Sequence, residues 1–296
     1  MSDPQKVLKE FRPKHKFMVA IDSDGCAFDT MEVKHKACFY PMTVRHWNLA
    51  AVAKYVRDVW DFVNLYSKLR GCNRFHALIY TLDYLRDWPA VQKTGVHVPE
   101  ADGVRKWKER ERKLGNPALE AEVKRTSDPD LKRALEWSVA INEEVEKTVH
   151  DVPPFPLVRE SLVELNKQAD TIVVSATPGE ALKREWAEHD IARYADIIAG
   201  QEMGTKSDHL RLAGQPHYPP DHILMVGDAP GDMEAARSIG ALFYPVNPGD
   251  EEKSWARFYN EALGRFLAGR YAGEYESQLI AEFDKHLPEN PPWNKG

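Results

Sequence analysis

The sequence predicts an α/β fold: a doubly wound parallel sheet with an inserted α-helical module. Three short apolar runs each end at a polar loop, the pattern of a buried strand that stops at the edge of a sheet. The runs are Phe17–Ile21, Thr171–Val174 and His222–Val226. In open sheets ligands gather at the carboxyl ends of the strands, so we expect the functional residues in the loops that follow these runs.

Helical stretches alternate with the strands, as crossover helices do in a parallel sheet. They are predicted at Val158–Gln168, Gly179–His189 and Asp232–Ile239. Two weaker strands are expected at Asp196–Ala199 and Ala241–Tyr244.

A long segment after the first strand interrupts this alternation. Over Arg45–Arg70, for example, apolar side chains recur at steps of three and four residues, which indicates an amphipathic helix. We expect the chain to return to the sheet through the Pro-rich stretch Asp151–Pro156, as one strand of a two-stranded hinge. The predicted boundaries are 1–30 and 151–250 for the core, 31–150 for the helical module and 251–296 for a C-terminal helical extension.

The composition is that of a globular protein without a membrane span or a nucleic-acid surface. The 296 residues include 40 Lys and Arg against 46 Asp and Glu, a formal charge of −6, so no broad basic footprint is expected. No apolar run of about 18 residues occurs. The polar N-terminal segment and the absence of a CxxC pair among the three cysteines predict a reduced, cytoplasmic protein. The sequence carries no signal for the oligomeric state.

Two carboxylates separated by one residue, Asp22 and Asp24, follow the first predicted strand. A carboxylate beside a cation stays ionised and can attack phosphorus, while a neighbour that is not coordinated through its side chain can hold a proton. Gly25 allows a tight turn next to a phosphate. Asp-Ser-Asp-Gly is also an ordinary turn, and the other loops decide between the two interpretations.

A second carboxylate pair, Asp228 and Asp232, follows the third predicted strand. The two residues lie about one helical turn apart and can face the same point. Four carboxylates that converge at strand ends repel one another unless a cation lies between them, and Mg²⁺ prefers such oxygen ligands together with waters and substrate phosphate. The sequence therefore predicts a Mg²⁺ site at this edge.

Donors for phosphoryl oxygens are expected in the two remaining loops. Ser175 offers its hydroxyl and Ala176 its backbone N–H, directly after the second strand. Lys206, which follows a turn at Gly204, offers an ammonium group. The order of these loops, more than any one residue, makes them candidates for phosphate binding.

Taken in order, the segments resemble the haloacid dehalogenase superfamily. The matching segments are Asp22-x-Asp24-Gly25-x-x-x-Asp29, the strand that ends at Ser175, Lys206, and Gly227-Asp228-x-x-x-Asp232. The resemblance covers roughly residues 16–30 and 155–250. It implies that the core is Rossmann-like and that the inserted module is the mobile helical cap of the first type.

The resemblance also implies roles for these residues. Asp22 is the nucleophile that forms an aspartyl-phosphate, and Asp24 is the acid that protonates the leaving group and then activates water. Mg²⁺ is held by the Asp22 side chain, the Asp24 backbone carbonyl and Asp228, with Asp232 bound either directly or through water.

By the same resemblance, Ser175, Ala176 and Lys206 bind the phosphate. Dehalogenases lack a carboxylate at the position of Asp24, so its presence favours phosphatase or mutase chemistry. Cys26 departs from the usual Thr or Val after the glycine, and we expect it to be a structural substitution.

We expect the cap to set specificity, because closure of a cap excludes water from the intermediate. The turn Arg70-Gly71-Cys72-Asn73-Arg74 presents two guanidinium groups and an amide. Arg70, Asn73 and Arg74 are therefore candidate substrate contacts. The alternative is a helix–helix turn with solvated arginines.

The predicted function is Mg²⁺-dependent hydrolysis of a small phosphorylated metabolite, with sugar phosphates among the candidate substrates. A phosphomutase or phosphonate hydrolase on the same fold, and a non-catalytic binding protein, remain as alternatives. Phosphonate hydrolases of this superfamily lack the carboxylate at the position of Asp24, which counts against them. No nucleic-acid or membrane partner is expected.

Overall fold

The computed structural model describes residues 3–294, which form two compact units. The sheet unit comprises the chain up to Thr30 and Asp151–Leu287, and the helical unit comprises Met31–His150 and the segment from Pro288. The prediction treated 251–296 as one extension. In the structure the part before Pro288 groups with the sheet, and the part from Pro288 groups with the helices.

The sheet unit is built on parallel strands in the order β3-β2-β1-β4-β5. The strands are β1 (Phe17–Ile21), β2 (Ala169–Val174), β3 (Ile197–Ala199), β4 (Ile223–Gly227) and β5 (Leu242–Pro245). The five strands predicted for the sheet are therefore present, the two weak ones included. Because β1 is the central strand, the loop that follows it lies in the middle of the carboxyl edge.

The helices occur in this chain order. They are α1 (Lys6–Lys9), α2 (Thr30–Val33), α3 (Tyr40–His46), α4 (Ala53–Asn64), α5 (Arg74–Asp87), α6 (Pro89–Gln92), α7 (Asp102–Arg110), α8 (Asn116–Thr126), α9 (Pro129–Thr148), α10 (Val158–Leu165), α11 (Gly179–Glu188), α12 (Lys206–Ala213), α13 (Pro230–Ser238), α14 (Glu251–Arg257), α15 (Leu263–Leu267) and α16 (Glu274–His286). A π-helical turn joins α2 to α3 at Lys34–Phe39, and another joins α14 to α15 at Phe258–Ala262. Across residues 3–294, no helix has both the length and the apolar character that a membrane span requires.

Helices cover both faces of the sheet, which confirms the doubly wound α/β prediction. Along β1, Val19 and Ile21 join an apolar cluster that includes residues of α10, α11 and α14. The alternate residues Met18 and Ala20 join a second cluster, which includes residues of α12 and α13. Alternation of buried side chains between two covered faces explains why β1 is apolar throughout.

The Pro-rich segment Asp151–Pro156 does not form the expected hinge strand. Pro154 makes a single antiparallel bridge with Phe28, and the Phe155 N–H donates to the carbonyl of Ala27 at 3.0 Å. Prolines cannot donate to a ladder, so the three in this segment limit its pairing.

An aromatic core holds the helical unit together. Trp60 and Trp137 meet edge to face at 6.4 Å, and Trp293 stacks on Trp88 at 4.4 Å. Trp293 thereby packs against the core of this unit. The stretch Arg45–Arg70, predicted as one helical pattern, is interrupted after α3, where Asn48 adopts a left-handed conformation with φ 56°.

Candidate active site

Asp22 occupies the centre of the carboxyl edge. Its N–H extends the β1–β4 ladder by donating to Val226 O at 3.0 Å, which fixes where the side chain begins. The side chain is buried, with Oδ1 accepting from the Ser23 N–H at 2.8 Å and Oδ2 from Lys206 Nζ at 2.7 Å. A carboxylate held at both oxygens presents a fixed direction to a ligand.

Lys206 is the first residue of α12. The helix begins with a capping box in which the Thr205 hydroxyl accepts from the Asp208 N–H, and the Asp208 carboxylate accepts from the Thr205 N–H. This start directs Nζ to Asp22 and, at 2.5 Å, to Asp232. Burial alone lowers the pKa of the Lys206 ammonium, but the two carboxylates outweigh burial and raise that pKa above its usual value. Lys206 therefore stays charged.

Asp228 and Asp232 are both buried, at the end of β4 and on the first turn of α13. The Asp232 Oδ2 accepts from the N–H groups of Asp228 at 3.2 Å and Ala229 at 3.1 Å. A Cβ at Gly227 would lie 2.4 Å from Asp232 Cγ. Glycine is required there because the carboxylate of Asp232 passes against the backbone.

Three carboxylates form one cluster. Oxygens of Asp22, Asp228 and Asp232 lie within 4.8 Å of one another, all on buried residues. Burial raises the pKa of Asp22 well above its usual range, Lys206 opposes this, and Asp232 and Asp228 add to it. Oxygen donors at this spacing, with one ammonium for three carboxylates, fit Mg²⁺. The chemistry of the donor set thus supports the predicted metal.

The Asp24 side chain lies outside that cluster and has different neighbours. Its Oδ1 accepts from the Thr30 hydroxyl, and its Oδ2 accepts from the Thr177 hydroxyl at 2.9 Å. A hydroxyl can donate or accept, so both threonines can hold the carboxyl group in either protonation state. The cluster of buried carboxylates is formed by Asp22, Asp228 and Asp232, and the Asp24 side chain is instead bound by the two threonines.

Ser175 follows β2 and is buried. Its N–H donates to Ala199 O at 3.0 Å, and its hydroxyl accepts from the Thr177 N–H at 3.2 Å. Ala176, the next residue, is exposed. The structure places both at the carboxyl edge, in the loop that also carries Thr177.

Cys26 packs as a small apolar residue. Its side chain is buried, with Sγ 3.6 Å from the carbonyl of Val226, and its own carbonyl accepts from Trp255 Nε1 at 2.7 Å. Burial and the nearby carboxylates raise the pKa of the thiol well above its usual value. Gly25 takes the positive φ of 77° that the turn requires.

The three cap candidates have structural partners within the helical unit. The buried Arg70 donates to Leu65 O at 2.7 Å, and Asn73 caps α5 by accepting from the Phe75 N–H. Arg74 donates to Ser138 Oγ at 3.0 Å and Asn142 Oδ1 at 2.7 Å, and burial lowers the pKa of its guanidinium to about 10. These contacts explain the residues structurally, and their role in substrate recognition stays a prediction.

Thr30, Thr177 and Glu185, which the sequence did not indicate as site residues, contact Asp24 or the neighbouring Ser23. Thr177 was within reach, because it lies two residues after Ser175 in the same loop. Thr30 and Glu185 carried no signal in the sequence. Thr30 is the last residue of the sheet unit before the helical unit begins, and Glu185 lies inside α11. Their positions become evident only when the fold brings them to Asp24 and Ser23.

Comparison with known proteins identifies a family. A family model described as haloacid dehalogenase-like hydrolase matches residues 78–246, more than half of the 296 residues. The match begins within α5 and therefore includes Ser175, Lys206, Asp228 and Asp232 but not Asp22. No curated protein matches the sequence.

Several solved structures match most of this chain at low sequence identity. A haloacid dehalogenase-like family hydrolase from Xanthomonas campestris has 12% identity and a TM-score of 0.44, covering 88% of this chain and 96% of its own. A haloacid dehalogenase-like family protein from Streptococcus pneumoniae has 15% identity and a TM-score of 0.42, with coverage of 82% and 90%. A HAD-superfamily hydrolase from Geobacter sulfurreducens has 15% identity and a TM-score of 0.40, covering 79% of this chain and 89% of its own. Similarities at this level do not bear on substrate or reaction.

Proposed function

We propose that this chain, which belongs to the haloacid dehalogenase-like hydrolase family, is a Mg²⁺-dependent phosphatase that hydrolyses a small phosphorylated metabolite through an aspartyl-phosphate at Asp22. The observation that carries the proposal is the division among the carboxylates. Asp22, Asp228 and Asp232 converge with Lys206, whereas the Asp24 side chain is held apart by two hydroxyls. This division supports Asp22 as the nucleophile and Asp24 as the proton carrier.

In the first half of the reaction, an Asp22 oxygen attacks phosphorus and the bond from phosphorus to the leaving oxygen breaks. The leaving oxygen takes the bond's electron pair and a proton from Asp24. Lys206 and the Ser175 hydroxyl bind phosphoryl oxygens. The Asp22 and Asp228 carboxylates and the Asp24 carbonyl would hold Mg²⁺, with Asp232 bound directly or through water, and the ion would supply positive charge to the phosphoryl oxygens.

In the second half, water attacks the phosphorus of the aspartyl-phosphate. Asp24, now ionised, accepts the proton of the water, and the bond between phosphorus and the Asp22 oxygen breaks to release inorganic phosphate. Asp24 is then protonated again for the next cycle. The two threonines beside it keep its position in both charge states.

The experiment is release of phosphate from a panel of sugar, polyol and nucleotide phosphates by the purified protein with Mg²⁺. Asp22→Asn should abolish release, and Asp221→Asn, an exposed aspartate of the same unit, should not. Isomerisation of a sugar phosphate without release would instead assign a mutase. Release that persists in Asp22→Asn would contradict the proposal.

A further inference from the structure

Ser23, the residue between the two carboxylates, is attached through its side chain to α11. Its buried hydroxyl donates to Glu185 Oε2 at 2.7 Å and accepts from Trp186 Nε1 at 2.9 Å. An indole N–H can only donate, so the serine oxygen must accept from it and direct its own proton elsewhere. A carboxylate accepts that proton, and the direction of both hydrogen bonds is fixed.

The backbone of Ser23 holds the rest of the loop of residues 22–28. Its N–H donates to Asp22 Oδ1 at 2.8 Å, and its carbonyl accepts from the N–H groups of Ala27 at 3.0 Å and Phe28 at 3.1 Å. Rotation of Ser23 would therefore move the Asp22 carboxylate and the turn that follows it.

The same segment of chain holds the loop at a second point. Thr177, just before α11, donates to Asp24, and Glu185 lies within α11 itself. The segment from β2 to α11 thus contacts two side chains of the loop. One is Ser23, which follows the proposed nucleophile Asp22, and the other is the proposed proton carrier Asp24. The phosphate-binding candidate Ser175 lies on this segment too.

We infer that Glu185 is a positioning residue for the reaction: through the Ser23 hydroxyl it sets the direction of Asp22 and Asp24 relative to the bound phosphate. The inference rests on the proposed function and extends it to a residue outside the motifs. If Glu185 only stabilised the fold, Glu185→Ala would lower the free energy of unfolding, and the folded variant would turn over substrate at the normal rate.

The test compares Glu185→Ala, Glu185→Gln and Ser23→Ala. Glutamine keeps an acceptor oxygen, so Glu185→Gln should retain most of the activity. Glu185→Ala should lower kcat roughly 10- to 100-fold with little change in KM, because a small misplacement of the nucleophile is costly. Since Glu185 acts through Ser23, the double variant that combines Ser23→Ala with Glu185→Ala should be no slower than the slower of these two single variants. Glu180→Ala, on the exposed part of the same helix, is the matched control.

Hydrogen exchange supplies a readout that does not depend on turnover. Amides of residues 22–28 should exchange faster in Glu185→Ala than in wild type or Glu185→Gln. Unchanged exchange, or faster exchange with wild-type kcat, would overturn the inference, and so would additive losses in the double variant. If the wild-type protein releases no phosphate, the proposed function fails, while the exchange comparison still shows whether Glu185 holds the loop.

Discussion

The ammonium group of Lys206 lies 2.7 Å from the carboxylate of Asp22. It also contacts Asp232, so its removal leaves buried carboxylates facing one another without this cation. We expect Lys206→Met to lose about 3 kcal/mol of unfolding free energy in chelator and less in Mg²⁺, which replaces part of the missing charge. Its kcat/KM should fall at least about 100-fold.

Urea unfolding with and without Mg²⁺ measures this effect. Lys183→Met removes an exposed lysine of α11 and is the matched control. An equal loss of stability in chelator and in Mg²⁺ would contradict the idea that lysine and metal share the same carboxylates.

Asp228 reports on the metal site independently of turnover. Calorimetric titration of the wild-type protein with Mg²⁺ should show binding, and Asp228→Asn should weaken it at least about 10-fold, because a neutral amide replaces an ionised ligand. Asp221→Asn should bind as the wild type does. Equal Mg²⁺ affinity in Asp228→Asn and wild type would remove Asp228 from the proposed ligand set.

His209, a fully buried residue of α12, predicts a pH dependence of stability. Burial disfavours its imidazolium and lowers the pKa of its ring from 6.5 to about 4. Between these values the unfolded chain binds a proton that the folded chain does not, so stability falls as the pH falls from about 6.5 and levels off below about 4. Over this pH range, His209 lowers the free energy of unfolding by about 3 kcal/mol.

Unfolding of His209→Leu at pH 7 and pH 4.5 tests this assignment. His209→Leu should lose much less unfolding free energy than the wild type between pH 7 and pH 4.5. His97→Leu, at an exposed histidine, should lose as much as the wild type. The same loss in His209→Leu as in wild type would show that another group is responsible.

Substitution of Arg74 distinguishes a structural role of this residue from a role in substrate recognition. Because its guanidinium donates to Ser138 and Asn142, we expect Arg74→Ala to destabilise the protein by about 2 kcal/mol. Its kcat/KM for the best substrate should remain close to the wild-type value. Unchanged stability together with a large, substrate-specific fall in kcat/KM would favour the recognition role instead.

The sheet and the catalytic candidates were predictable because strong local signals coincide there. The strands β1, β2 and β4 are largely apolar on both faces, and each is followed by turn-forming residues. Their type and their end points were therefore visible in the sequence. At the carboxyl edge, the order of Asp22, Ser175, Lys206 and Asp228 then predicted a single site. The structure brings Asp22, Lys206, Asp228 and Asp232 together.

Contacts between elements distant in sequence were not predictable. Ser23 reads as a turn residue, yet its hydroxyl meets Glu185, 162 positions away. Trp293 follows a proline pair, and nothing local indicates that it stacks on Trp88. Arg74 looked like a solvated or ligand-binding side chain, and its burial depends on where α9 packs.

A covalent phosphate on Asp22 is the intermediate on which the proposed reaction depends, and it can be trapped directly. The best substrate of the panel is mixed with the protein and Mg²⁺, the reaction is quenched in acid within one turnover, and the peptides are analysed by mass spectrometry. We expect one added phosphoryl group on the peptide that contains Asp22, and none on that peptide in Asp22→Asn. Turnover without that modification, or with phosphate on another residue, would contradict it.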